Sequence, residues 1–345
     1  MNQSPKRIVV RQVNWLGDVV MSQPALRALR AAYPDARLAI LIRAELASFF
    51  AGAAWVDEVI GYRIRPGWRG VGDQVRLVTR LRRDAYDLGV LFPDSFQSAL
   101  WFAAAGIPQR VGYARDARRP LLTVGVARGH GALQGHQVHY RLQLLREAPD
   151  IEGTADDFSI DVDAGRRTAM ESWLSARRRR AGGALVALAA GAAYGPAKQW
   201  PIEHFAALVD RLADERGAEC VVVGSPGERA MAEQVAAAAR HGAIVAAGET
   251  DVGSLVALLS LCSAFVGNDS GAMHVAGALG LPTIGIFGST RPGRTAPLGP
   301  RARVVYHGID CSPCLDRTCR FGHYRCLRDV APGEVAAALD AAMSS

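Results

Sequence analysis

The chain has 345 residues, half of them hydrophobic and 21% charged, with a formal net charge of +7. That balance excludes a disordered chain, and the length suits two domains better than one. Residues 184–193 form a small-residue apolar stretch far short of the ~20 residues that span a bilayer, and the N-terminus starts on a short strand-like run instead of a signal peptide, so a cytoplasmic location is expected.

The charge is uneven. Residues 1–180 hold 27 Lys and Arg against 18 Asp and Glu, whereas residues 181–345 hold 13 against 15. Such an excess in the first half suits an anionic partner, or it is a solvated arginine-rich surface. Only Lys6 and Lys198 are lysines among the 40 basic residues, which singles out Lys198 as a compact ammonium retained against that background.

Apolar β-rich runs alternate with helical patterns from end to end, which predicts parallel sheets covered by helices. Strands are expected at residues 7–13, 37–42, 56–61 and 87–92, with helices over 19–32 and around 76–83. A helix over 165–180 would end on four arginines ahead of Gly182 and Gly183, because cations suit a helix carboxyl end and glycine the position beyond it. The pattern then restarts: strands at 185–189, 219–223, 243–246, 264–267 and 283–287 alternate with helices over 202–216, 228–240, 252–261 and 271–279. The expected class is α/β, with two doubly wound Rossmann-like lobes and a cleft between them. The lobes are assigned to residues 1–180 and 181–330, followed by a C-terminal helix at 331–345.

Ligands of open α/β sheets collect beyond the carboxyl ends of the strands, so the strand-to-helix turns carry the candidate chemistry. The first is Asn14-Trp15-Leu16-Gly17-Asp18, where Asp18 either caps the helix or complements its dipole, or is a carboxylate facing a ligand. No GxGxxG is present, which argues against a nicotinamide dehydrogenase. The second turn runs from Ala190 and Gly191 to Lys198 and Pro201, with backbone N–H groups open to phosphate and Lys198 as a point charge. The third is Asn268, Asp269, Ser270, Gly271 and His274, at a helix start suited to a diphosphate; His274 is otherwise a half-buried core residue. In a related turn Glu228 either holds ribose hydroxyls or complements a helix dipole. Asp161-Val162-Asp163 spells a DxD but lies away from any such turn and reads as surface. Cys311, Cys314, Cys319 and Cys326, with His323 among them, follow no standard zinc or iron–sulfur spacing and read as a reduced, metal-free tail.

Three of these segments occur together and in order: the run from Trp15 to Gln23, the run from Tyr194 to Pro201, and Asn268 to His274. Together they resemble the heptosyltransferase II family over about residues 7–339. The resemblance implies a GT-B fold, an acceptor lobe followed by a nucleotide-sugar lobe, and catalysis without a bound metal or other cofactor. It implies ADP-heptose as donor and the lipopolysaccharide inner core (Kdo2-lipid A bearing one heptose) as acceptor, with no nucleic-acid partner and peripheral contact with the inner membrane. By the same resemblance Asp18 is the general base, Lys198 neutralises the leaving diphosphate, and Asp269 with its neighbours Asn268, Ser270, Gly271 and His274 holds the donor; Gly191 and Glu228 join the donor site from the reading of their own turns. The chain departs from the family at Ala190-Gly191-Ala192-Ala193 and at Asp94, where Asn is frequent. A heptosyltransferase I or III is the nearest rival; a sugar-nucleotide epimerase and a non-catalytic glycolipid-binding module are more distant ones.

Overall fold

The computed structural model describes residues 4–127, 129, 135–179 and 182–344. The chain divides into two compact units, Met1–Phe158 and Ser159–Ser345. In the first, strands β1 (Arg7–Arg11), β2 (Arg37–Arg43), β3 (Glu58–Tyr62), β4 (Leu88–Leu91), β5 (Gln109–Tyr113) and β6 (Val124–Val126) form one sheet ordered β3-β2-β1-β4-β5-β6. Every pairing in it is parallel. Helices α1 (Leu16–Met21), α2 (Gln23–Ala32), α3 (Arg69–Arg83), α4 (Phe96–Ala104) and α5 (Gln137–Glu147) cover it. Parallel strands are packed on both faces, and the sequences obey: β4 is buried at all four positions and β1 at all but its first. Val9, Leu41 and Ile60 of the sheet meet Leu77 and Leu81 of α3 and Trp101 and Phe102 of α4 in one apolar cluster.

The second unit repeats the wind. Its strands β7 (Leu185–Ala189), β8 (Glu219–Val222), β9 (Ile244–Val245), β10 (Ala264–Asn268), β11 (Thr283–Phe287) and β12 (Ala302–Tyr306) lie in the order β12-β11-β10-β7-β8-β9, again all parallel. Counted from its own first strand this is the 3-2-1-4-5-6 order of the first unit. The helices are α6 (Ala164–Ser175), α7 (Ile202–Arg216), α8 (Arg229–Ala238), α9 (Val252–Leu259), α10 (Gly271–Ala278), the short α11 (Pro292–Thr295) and α12 (Arg325–Arg328), and α13 (Pro332–Met343). Leu188, Val222, Val266 and Ile284 pack with Trp200, Phe205, Leu212 and Leu339. Among the described residues no helix is long and apolar enough to cross a membrane.

Four expectations change. The units part at Phe158/Ser159, ahead of 180/181, because α6 packs on α9 of the second unit. That helix ends at Ser175, so the arginines do not form its last turn. Instead Arg178 pairs with Glu219 at 2.9 Å, and Arg177 reaches Glu249 and lies over the Trp173 ring at 4.2 Å; Arg180 falls outside the described residues. The single helix expected over 19–32 is two, α1 and α2. Pro24 has no N–H to return to the carbonyl of Val20, and the Ser22 hydroxyl donates to the Val19 carbonyl at 2.7 Å at the join. Finally α13 is not an appendage, since it packs on α7, β11 and β12 within the second unit.

Candidate functional site

In a doubly wound sheet the strand order reverses at one place, and the loops leaving the carboxyl ends of the two strands there open a crevice. The reversal falls between β1 and β4 in the first unit and between β7 and β10 in the second. Asp18 follows β1 and Asp94 follows β4. Gly191 and Lys198 follow β7; Asn268 ends β10, and Asp269 through His274 follow it. Only Glu228, after β8, leaves a different strand.

In the first unit Asp18 lies in the first turn of α1, but the N-cap position is Trp15 and no side chain caps the helix. The capping alternative for Asp18 is therefore not realised. Its carboxylate is partly exposed and pairs with Arg141 of α5, Nη2 to Oδ1 at 3.3 Å, while Arg141 itself is buried. The neighbouring residue on α5, Tyr140, donates its hydroxyl to Asp94 Oδ2 at 2.8 Å and stacks on Tyr113. Burial, reinforced by the Asp94 charge, pushes the Tyr140 phenol far above its usual range, so it remains a donor. Arg118, with no exposed surface, holds the other side of Asp94 at 3.6 Å and takes the backbone carbonyls of Tyr113 and Pro93. Under the turn, Arg11 is buried to 2% exposure; its guanidinium donates to Asn14 Oδ1 at 2.8 Å and to the Tyr62 hydroxyl and lies over the Tyr62 ring. Burial lowers its pKa to about 10, which leaves it cationic at neutral pH. Arg11, Arg118, Tyr140 and Arg141 belong to none of the motifs in the sequence; Arg11 lies in a segment that reads only as a strand.

In the second unit Lys198 and Asp269 meet directly, Nζ to Oδ2 at 2.5 Å, with 13% and 5% of their side chains exposed. Thr290 donates to the same carboxylate oxygen at 2.7 Å. Asn268 is fully buried: its Nδ2 donates to the Ala190 carbonyl at 2.6 Å and its Oδ1 accepts from Trp200 N–H at 3.0 Å. Both amide atoms thus tie β10 to the loop carrying Lys198. Ser270 is the N-cap of α10, yet its hydroxyl makes no bond to the helix. Gly271 opens α10, and His274 sits one turn in at 3% exposure. Together a cation, a carboxylate, an uncommitted hydroxyl and unfilled helix N–H groups form a setting for a charged diphosphate.

Glu228 closes a capping box: its Oε2 accepts from the Ser225 N–H at 2.7 Å and from the Ser225 hydroxyl at 2.8 Å. A Cβ on Gly191 would lie 2.2 Å from Glu228 Oε1. Gly191 therefore leaves the space that the Glu228 carboxylate occupies, and the two form one corner of the same crevice.

Residues 74–325 match the model of glycosyltransferase family 9 (heptosyltransferase). Over 97% of its length the chain is 30% identical to lipopolysaccharide heptosyltransferase 2 of Escherichia coli K12, covering 98% of that protein. It is 31% identical to the enzyme of the same name from Salmonella typhimurium LT2, covering 98% of this chain and 99% of that one. The solved structure of E. coli ADP-heptose LPS heptosyltransferase II superposes with a TM-score of 0.84 at 30% identity over 98% of each chain. The chain belongs to glycosyltransferase family 9, the heptosyltransferases. It is a glycosyltransferase with the GT-B fold.

In this heptosyltransferase the cysteine-bearing segment has a use the sequence did not disclose. The Arg317 carbonyl accepts from Ala197 N–H at 3.0 Å, the Leu315 carbonyl accepts from the Tyr194 hydroxyl at 2.6 Å, and Leu315 N–H donates to Ser289 at 2.7 Å. A Cβ on Gly195 would lie 2.5 Å from the Arg317 carbonyl oxygen, so the two backbones touch. The segment braces the Lys198 loop. Cys311, Cys314, Cys319, Cys326 and His323 line one small cavity beside Ala197 and Ser289. All six cysteines of the chain are free thiols, and among the described residues no group of three His, Cys, Asp or Glu side chains is arranged to hold a metal ion.

Proposed function

We propose that this heptosyltransferase moves L-glycero-D-manno-heptose from ADP-heptose onto the single heptose of the lipopolysaccharide inner core, with inversion at the transferred carbon. The observation that carries the reading is the Lys198–Asp269 pair set beside the uncapped start of α10 at the switch point of the second unit. In this reading the ADP diphosphate rests on the N–H groups of Gly271 and Ala272 and on the Ser270 hydroxyl, with the Lys198 ammonium against its oxygens. Gly191 and Glu228 form the ribose end, and His274 backs the diphosphate from below. The second unit is the donor lobe and the first the acceptor lobe.

Asp18 then takes the proton from the acceptor hydroxyl as its oxygen attacks the anomeric carbon. The bond to the diphosphate oxygen breaks on the opposite face, so a β-linked donor gives an α-linked product. Lys198 and the amino end of α10 stabilise the negative charge arriving on ADP, the task that a divalent cation performs in other glycosyltransferases. Arg141 acts through Asp18 by fixing its orientation. The acceptor is anchored in lipid, so the enzyme works in the cytoplasm in peripheral contact with the inner membrane. The names of the relatives favour heptosyltransferase II over I or III.

Asp18→Asn tests the base. Loss of general-base catalysis is expected to lower turnover by about 10²–10⁴-fold, while the altered bond to Arg141 costs about 1 kcal/mol of stability. ADP release from ADP-heptose and the mono-heptosylated acceptor, measured beside thermal unfolding and ADP affinity, separates the two effects. A fall of only a few-fold would move the base elsewhere, with Asp94 the next carboxylate on the same unit.

A further inference from the structure

Ten large hydrophobic side chains stand exposed among the described residues, and five of them come from two neighbouring helices of the first unit. Trp68, immediately before α3, is 82% exposed, and Val71 and Val75 on α3 are 60% and 59% exposed, at spacings that put all three on one side of the helix. Phe96 and Leu100 stand outward on α4, at 42% and 43%. The two helices pack side by side, joined by Gln74, whose side-chain oxygen accepts from Trp101 Nε1 at 2.9 Å and from Gln97 Nε2 at 3.0 Å. Their inner faces already fill the core through Leu77, Leu81, Trp101 and Phe102. The outward stripe is no part of that core.

Charge surrounds it. Residues 63–84 hold seven arginines against Asp73 and Asp84 alone. Arg65 and Arg76 share Asp73, Arg80 divides between Glu58 and Asp84, Arg83 also reaches Asp84, and Arg63 pairs with Glu45, so the seven arginines still outnumber the four acids they meet. Arg69 lies over the Trp68 ring. A tryptophan and two valines on the open side of a helix, rimmed by guanidinium groups, match a headgroup layer that is apolar below and anionic above.

We propose that the outer face of α3, extended by α4, docks this enzyme on an anionic lipid bilayer. Trp68, Val71 and Val75 enter the headgroup region, and the arginines neutralise lipid phosphates around them. The proposal rests on the reading that the acceptor is a membrane lipid.

The test uses the full chain and sedimentation with vesicles of phosphatidylcholine, with or without phosphatidylglycerol, that contain no acceptor. The protein should partition onto the anionic vesicles, and roughly tenfold less onto the neutral ones or at about 0.5 M salt. The Trp68→Ser/Val71→Ser/Val75→Ser variant should lose about tenfold in anionic-vesicle binding while keeping turnover on a deacylated, water-soluble acceptor within about twofold. Trp68→Ser alone should show a smaller loss and covers the case of a triple variant that folds poorly. Equal vesicle binding by wild type and triple variant, or no binding by wild type, would overturn the proposal. Self-association that disappears in the triple variant, without vesicle binding, would overturn it in favour of a contact between two copies. Failure of the heptosyl-transfer reading would show separately, as no turnover on either form of acceptor.

Discussion

Lys198 was legible because lysine is so rare in this chain, but its partner was not. The sequence offered Lys198 as a point charge facing phosphate, with no partner of its own. The structure pairs it with Asp269 across 71 positions, with both groups largely removed from water. Removing one member of a buried ion pair strands the other, at a cost of about 3–5 kcal/mol. Lys198→Ala should therefore lower stability by a few kcal/mol as well as donor turnover, whereas Lys198→Met combined with Asp269→Asn should regain most of the stability and none of the turnover. Denaturant unfolding beside initial rates checks this; a single variant with the wild-type unfolding midpoint would refute the pair's importance. Arg141 was hidden for the same reason, lying 123 positions from Asp18. No local spacing encodes a contact made only by the closing of the sheet.

At the scale of elements, the strands that read clearly were those buried on both faces, such as β7, β10 and β11. β6 is three residues with one buried, and β12 has a single buried position, so neither carries the apolar run that marks a parallel strand. Helix α10 was foreseen within a residue, yet what places it was not. A Cβ on Gly277 would lie 2.3 Å from the Leu298 carbonyl oxygen, a backbone atom that has no rotamer to retreat into. Gly277→Ala should push α10 away from that loop, at a cost of about 1–3 kcal/mol, and, on the proposed seating of the diphosphate at the amino end of the same helix, weaken ADP binding. As a control, Gly72→Ala on the open face of α3 meets only the Arg76 side chain at 3.7 Å and should be neutral or stabilising. Calorimetric ADP titration with thermal unfolding of both variants distinguishes the two; an unshifted Gly277→Ala protein would show that α10 has slack at this contact.

For the whole molecule, the alternation of strand and helix was enough to foresee two Rossmann-like units, and the three motifs in order were enough to foresee the family. The boundary was misplaced because glycines after an arginine run look like a helix end, whereas α6 belongs by packing to the second unit. With the boundary at Phe158/Ser159 the first unit carries 21 basic and 15 acidic residues and the second 19 and 18. Part of the charge asymmetry read from the sequence thus came from arginines that pair with Glu219 and Glu249. What remains in the first unit is concentrated near α3, the face proposed to dock on the bilayer. The central claim, inverting transfer of one heptose onto a mono-heptosylated core, is tested most directly by offering ADP-heptose with acceptors bearing zero, one or two heptoses and determining the anomeric configuration of the product. Turnover is expected on the one-heptose acceptor alone, with an α-linked product; equal use of the heptose-free acceptor, or a β-linked product, would rule out inverting transfer onto a mono-heptosylated core.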